Sequence, residues 1–432
     1  MKSHGVFVVL LSLSFCAVFA RDGEDRAGLP LESAVQTALL NNPELRAARY
    51  TVEQARGRLI QSGRWSNPTL EASGMSDFAF GNKGEAAFSV GIFQEFPITS
   101  RLGLARQIGR LDVERAALEV RDHERRLIER VQLTYLQVVE SEARVRHWKS
   151  IEEKQSGIAA DLERRLTAGQ GSISERALSI AARAAAWNSL GQAETEAAME
   201  MVNLKSLLGF PAEHSLRLGD DLSSVLTQLS KQTGERPTVM HRPDAELLVL
   251  STQRAELEIR LARAEAWEGI RIGVEYTNER GVDAPEGLGT DQFLGVSVSI
   301  PLPLWNSNQG RVAEGQALRD EMQARVDALR LEMSNSLAAS LQQVALSKRR
   351  LSEIESRSLL ALRSAEQEMQ KGFEEGRVEL RDWLAVRSQL AEVELAQTTA
   401  VARLAEAYAR LLSITGAHPS IQTQRQPAST KP

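Results

Sequence analysis

The sequence predicts a mainly α chain with transmembrane β-strands, built twice from one unit: a strand pair followed by a long helical hairpin. Three observations predict it. The chain repeats itself in an ordered series of landmarks, Pro43 to Pro243, Pro97 to Pro303 and Gly169 to Gly376, at offsets of 200, 206 and 207 residues. Two long stretches, Arg101 to Ala168 and Gln309 to Glu375, contain no proline and are rich in good helix formers. Four shorter stretches alternate apolar and polar residues with the period of two that a half-buried strand requires.

Composition agrees with this reading. Of 432 residues, 42% are hydrophobic, 25% charged and only 5% aromatic, with a formal net charge of −5. Low aromatic content with abundant Ala, Leu, Glu and Arg belongs to long helices rather than compact cores. The near balance of charge removes the basic surplus expected of a nucleic-acid binder.

Residues 1–20 read as a signal peptide: Lys2, an apolar run from Val6 to Leu13, then Val18-Phe19-Ala20 before Arg21. The single Cys16 lies within it, behind a bulky Phe15 that fits lipid attachment poorly, so the exported chain is expected to carry no disulfide. The first repeat, 21–219, opens with a helix over Leu31 to Arg64. A strand pair over 68–97 follows, in which Leu70, Ala72, Gly74, Ser76, Phe78 and Phe80 alternate with polar residues, as do Phe88, Val90 and Ile92. A helical hairpin over 101–209 completes it. Residues 220–242 are polar with Gly234 and Pro237 and read as a linker or equatorial segment.

The second repeat, 243–416, has a short helix from Glu246 to Trp267, a strand pair over 269–303 and a hairpin over 309–413. In it Leu318, Met322, Val326, Leu329, Met333, Leu337, Leu341, Val344, Leu351 and Ile354 form a coiled-coil seam. Residues 417–432 read as a flexible tail. At ~1.5 Å per residue each long helix spans about 100 Å.

The strands are long enough to cross a bilayer at a tilt, and no stretch approaches the ~20 apolar residues of a spanning helix. Open sheet edges are not tolerated in lipid, and barrels start at about eight strands. Four strands per chain therefore demand several copies; two chains would bring about eight strands and three about twelve. Trp267, Tyr276, Phe78 and Phe96 are candidates for aromatic girdles.

The opening Leu29-Pro-Leu-Glu-Ser-Ala-Val-Gln-Thr-Ala-Leu-Leu-Asn-Asn-Pro43-Glu-Leu resembles the first helix of the TolC-like outer-membrane efflux proteins. The junctions Gln94-Glu-Phe-Pro97 and Ile300-Pro301-Leu-Pro303-Leu-Trp-Asn-Ser-Asn-Gln-Gly310, and the duplicated glycine turns, resemble that family too, along nearly the whole mature chain. The second junction looks most like the heavy-metal branch, the cobalt–zinc–cadmium and copper–silver exporters. The resemblance implies a homotrimer with a 12-stranded barrel in outer-membrane lipid and a long α-helical periplasmic tunnel. It further implies a periplasmic adaptor and an inner-membrane pump as partners, with no cofactor.

By that resemblance the two helical turns lie at the periplasmic tip, where an adaptor docks. Arg165, Leu166, Ala168, Gly169 and Gln170 form the first candidate surface, and Phe373, Glu375, Gly376 and Arg377 the second. Glu374, Glu375, Glu379 and Asp382 are a candidate acidic entrance favouring cations. No enzyme motif appears. The six histidines, His4, His123, His147, His214, His241 and His418, lack metal-ligand spacing, and no phosphate-cradling glycine loop is present.

The expected function is passive export of small toxic solutes, with heavy-metal cations favoured over drugs or organic compounds. A polypeptide-secretion duct shares the architecture. A periplasmic coiled-coil adaptor is the alternative from another class, but it would carry one hairpin in a β-rich body.

Overall fold

A computed structural model describes residues 28–80, 84–170, 172–233, 242–283 and 287–416. The expected signal peptide with Cys16, the Gly234–Pro237 stretch, Gly171, His4, His241, His418 and the 417–432 tail lie outside these residues.

The chain opens with two helices, α1 (Leu31–Asn41) and α2 (Pro43–Gln61), where the sequence suggested one. Pro43 is the reason. Its ring disfavours helical backbone at Asn42, which instead caps α2 by accepting the Leu45 N–H at 3.0 Å. Strands β1 (Thr69–Ser76) and β2 (Ala86–Phe96) follow, with Phe78–Phe80 in a short 3₁₀ turn beyond the end of β1. Phe78 is thus not part of the strand alternation, although it stands fully outward.

Helix α3 (Arg101–Thr167) runs without a break for 67 residues, about 100 Å. The return helix α4 (Ile173–Leu208) ends at Gly209, whose φ of 78° continues the chain through a left-handed turn. Part of the expected linker is a helix, α5 (Leu222–Thr233). Leu222, Val225 and Leu229, spaced three and four apart, are buried in the main core with Tyr135, Leu136, Leu204, Leu208 and Leu412. The polar residues around them hid that stripe.

In the second repeat, α6 (Pro243–Ala264) leads to β3 (Ile270–Asp283) and β4 (Gly287–Ser299). The helix expected over 309–375 is interrupted. α7 (Gln309–Glu353) passes into a six-residue π-helical turn, Ile354–Leu359, before α8 (Leu360–Glu374). A π turn absorbs one extra residue without rotating the helix on either side out of register. Here it buries Leu359 and sets Glu355 at 3.1 Å from Gln397 of the return helix α9 (Leu380–Thr415). The seam on α7 is only partly covered: Val326 is buried, most of the stripe is half-buried, and Leu341 is exposed.

Duplication reaches into packing. Gly109 of α3 sits against Leu59 of α2, and Gly315 of α7 sits against Ile259 of α6; a Cβ on either glycine would come within about 3 Å of that partner side chain (3.1 and 2.9 Å). These pairs repeat at the offsets of the surrounding sequence, so the same close helix crossing is built twice.

The four strands form one antiparallel sheet in the order β1-β2-β3-β4. Its register lines up Leu70, Ile92, Val274 and Val296 in one cross-strand row, and Ala72, Val90, Tyr276 and Leu294 in the next. Glu71, Gly91, Glu275 and Gly295 form a row on the opposite face, as do Ser73, Ser89, Thr277 and Phe293. The sheet is therefore apolar on one side and largely polar on the other.

Candidate functional site

Two regions carry the surfaces that a function can use: the outward sheet face, and the far end where the two hairpins turn. The apolar sheet face is uncovered. Leu294 is 78% exposed, Val296 73% and Leu70 72%, in a contiguous band no water-soluble monomer normally shows. On the polar face, Ser89 and Thr277 share a hydroxyl contact of 2.9 Å. Phe93 lies across Gly273 and Gly91 there, with the Arg271 guanidinium 4.3 Å from its ring centre and ion-paired to Glu71. Among the described residues, the outer edges of β1 and β4 have no partner strand, and no helix is long and apolar enough to cross a membrane.

At the far end, both turns are the same backbone device. In the first, Gly169 has φ 73°, its N–H bonds the Leu166 carbonyl at 3.0 Å, and Gln170 N–H bonds the Arg165 carbonyl at 2.8 Å. In the second, Gly376 has φ 75°, its N–H bonds the Phe373 carbonyl at 3.0 Å, and Arg377 N–H bonds the Gly372 carbonyl at 2.7 Å. This pair of bonds closes a helix C-terminus when the next residue can adopt positive φ, which glycine does without a Cβ penalty.

The side chains around the turns differ. In the second hairpin Leu380 and Trp383 are buried with Leu162 of α3 in a small core separate from the main one. Phe373 stacks on Trp383 with centroids 5.1 Å apart, and Arg165 reaches over Phe373 at 6.0 Å, which brings the two predicted turns together. Behind them Arg387 lies 5.5 Å from the Trp383 ring and 3.9 Å from Glu366, which also accepts the Trp383 indole N–H at 3.3 Å. Burial pulls the Arg387 guanidinium below its usual range, with Glu366 opposing. A groove of about 470 Å³ between the hairpins is lined by Lys154, Asp161 and Arg165 of α3 and by Gln370, Phe373 and Glu374 of α8.

Sequence reasoning missed Leu162, Glu366, Leu380, Trp383 and Arg387. Leu380, Trp383, Leu384 and Arg387 at helical spacing were the available signal. At the position of Leu380, 207 residues earlier, the first hairpin has Ile173, 77% exposed, and at that of Trp383 it has Arg176. Its turn is thus bare where the second is packed. Ala168, Gly169, Gln170, Glu375, Gly376 and Arg377 are exposed, whereas Leu166 and Phe373 are half-buried.

The four acids of the expected entrance are all exposed, but cations accompany two of them. Glu375 pairs with Arg377, Asp382 lies 3.6 Å from Arg381, and Glu374 accepts a hydrogen bond from Gln370 at 3.0 Å. Glu379 instead starts α9 through its carbonyl, which accepts the Trp383 N–H. Pro97 follows the last residue of β2, and Pro301 and Pro303 follow β4. Among the described residues no group of His, Cys, Asp and Glu could hold a metal ion.

The outer membrane efflux protein model matches residues 34–210 and again 241–417. The chain belongs to the outer membrane efflux protein family. The two matches are themselves 207 residues apart, the offset of the paired tip glycines. Members of this family are channels of the outer membrane and not enzymes. A comparison with curated proteins finds no match.

Solved structures share the fold at low identity. CusC, described in terms of folding and transmembrane channel formation, is 16% identical, covering 92% of this chain and 95% of its own at a TM-score of 0.70. The Neisseria gonorrhoeae MtrE outer membrane channel in its open state is 17% identical, with 90% and 89% covered and a TM-score of 0.69. The Campylobacter jejuni CmeC outer membrane channel is 15% identical, with 90% and 85% covered and a TM-score of 0.68. The predicted TolC-like family and the mainly α fold with a four-stranded sheet hold.

Proposed function

We propose that three copies of this outer-membrane efflux protein close a 12-stranded barrel and a helical periplasmic tunnel, forming a passive exit duct. The observation that carries it is the sheet: four strands, apolar rows on one face, polar rows on the other, and an open edge at each end. In lipid both edges must be paired, and a barrel of about eight strands or more needs additional copies. A periplasmic adaptor lacks this membrane-length sheet. Native mass spectrometry in detergent tests the proposal: a heat-modifiable trimer is expected, and a water-soluble monomer would exclude it.

The tips are the proposed docking surface for a periplasmic adaptor that joins the duct to an inner-membrane pump. The first turn, with Gly169, Gln170 and the uncovered Ile173, presents apolar and backbone groups; the second presents Gly376, Glu375 and Arg377. Gly376→Trp should leave the trimer intact and abolish export; unchanged export would remove tip docking through this turn.

The cargo is proposed to be small toxic solutes, with heavy-metal cations favoured, on the resemblance of the 300–310 junction. Cells lacking the protein should become sensitive to divalent metals before organic dyes. The opposite order would assign the duct to organic solutes. Cation preference at the entrance is proposed to rest on Glu374, Glu375, Glu379 and Asp382. Single-channel recordings that show no loss of preference when these are neutralised would end that idea.

A further inference from the structure

We infer that the segment after β4, Ile300 to Trp305, is a membrane-seating element that lies in the periplasm-side interface of the outer-membrane lipid. The inference rests on the barrel reading above and extends it beyond the sheet. Along β4 the apolar positions Leu294, Val296 and Val298 are exposed, and the same two-residue spacing continues past the strand with Ile300, Leu302 and Leu304. Leu302 is 62% exposed, Leu304 69% and Trp305 88%. An apolar row that overruns its sheet is continuous with the lipid-facing surface.

The backbone is adapted to the same place. A segment outside any ladder leaves N–H groups that cost free energy wherever water is scarce. Of the four residues 301–304, Pro301 and Pro303 have no N–H, and Leu304 N–H bonds the Leu302 carbonyl at 2.8 Å. Among these four residues only the Leu302 donor is left to find a partner elsewhere. Prolines thus do more here than end the strand: they let an unpaired stretch enter a poorly hydrated layer.

Aromatic residues mark the same end of the sheet on the other strands. Trp65 precedes β1 and meets Phe96 at the end of β2 edge-on, with centroids 5.5 Å apart, while Trp267 precedes β3. Both tryptophans are exposed. Indole rings prefer the headgroup level, where the ring is shielded and the N–H is wet. Trp305 is the counterpart after β4, carried on a stiff Pro-rich stem.

The test is site-directed spin labelling of the full-length protein in phosphatidylcholine vesicles, at Leu304→Cys, Val296→Cys and Ser307→Cys separately. Accessibility to oxygen is compared with that to a water-soluble nickel chelate. The label at 296 reports the barrel wall and should favour oxygen strongly. The label at 304 should favour oxygen several-fold more than the label at 307, which should be open to nickel. Nickel access at 304 equal to that at 307 would overturn the inference, as would exclusion of both probes there, which would mean that a neighbouring copy covers the segment. A label at 296 that does not favour oxygen would instead overturn the barrel reading.

Discussion

Replacing Leu294 by arginine tests the membrane assignment at a single atom-level contrast. Leu294 lies five residues from Ser299, the end of β4. At ~3.3 Å per residue and a tilt near 40°, that depth is about 13 Å, half of a ~25 Å apolar band. Arginine on the lipid face at mid-depth costs ~2–4 kcal/mol per chain, and in the proposed trimer three copies would multiply the cost to roughly 6–12 kcal/mol. Ser297 faces the other way, in a row with Gly273 and Phe93. On the proposed barrel, arginine there would meet water in the lumen, and the change should stay within about 0.5 kcal/mol per chain. Urea titration of vesicle-reconstituted protein, read by tryptophan fluorescence, compares them directly. Equal costs at the two positions, or a greater cost at 297, would refute the assignment of faces.

Three further outcomes are expected. Trp383→Ala should cost ~3–5 kcal/mol, the usual loss for a buried large aromatic, but locally; hydrogen exchange should rise in α8 and the start of α9 while the main core around Tyr135 stays protected. Gly376→Ala meets no atom within 4 Å, so its cost is the left-handed backbone alone, about 1–2 kcal/mol; Gly372→Ala instead drives a Cβ to 2.6 Å from Val378, and thermal melts should rank it the worse of the two if that side chain cannot yield. His147 should make the hairpin packing acid-sensitive. Burial holds its pKa below the ordinary value of 6.5, against the pull of Glu394, 4.0 Å away. The stability it contributes is complete above pH 6.5 and is lost as pH falls from there through the lowered folded value. A His147→Gln variant should flatten that part of the stability profile; an unchanged profile would remove His147 as its cause.

How much was legible in the sequence differs between the two regions. The tip turns were visible because positive φ at a helix end nearly demands glycine, and Gly169 and Gly376 fall at equivalent places. The sheet faces were visible because a strand alternates with a period of two. The tip core was not, because Leu162 on one hairpin and Leu380 and Trp383 on the other are far apart in sequence. Their contact depends on how two hairpins lie together. Helix α5 escaped for a related reason: three leucine or valine positions among polar neighbours become a core face only when α9 is beside them.

The sequence by itself determined the local and repeating features: the duplicated unit, the long proline-free helices, the strand alternation and the turns. Each depends on neighbours within a few residues, where backbone sterics and side-chain period decide the outcome. Tertiary structure alone decided that β2 pairs with β3, joining the two strand pairs in one sheet, and so which rows of side chains form a continuous apolar band. It also decided that one hairpin tip is packed by Phe373 and Trp383 while its repeat leaves Ile173 bare. Those outcomes come from contacts between distant segments, whose energies no local pattern contains. The π turn at Ile354–Leu359 belongs to them as well: it buries Leu359 and brings Glu355 to Gln397 of α9 while residues 355–358 stay exposed.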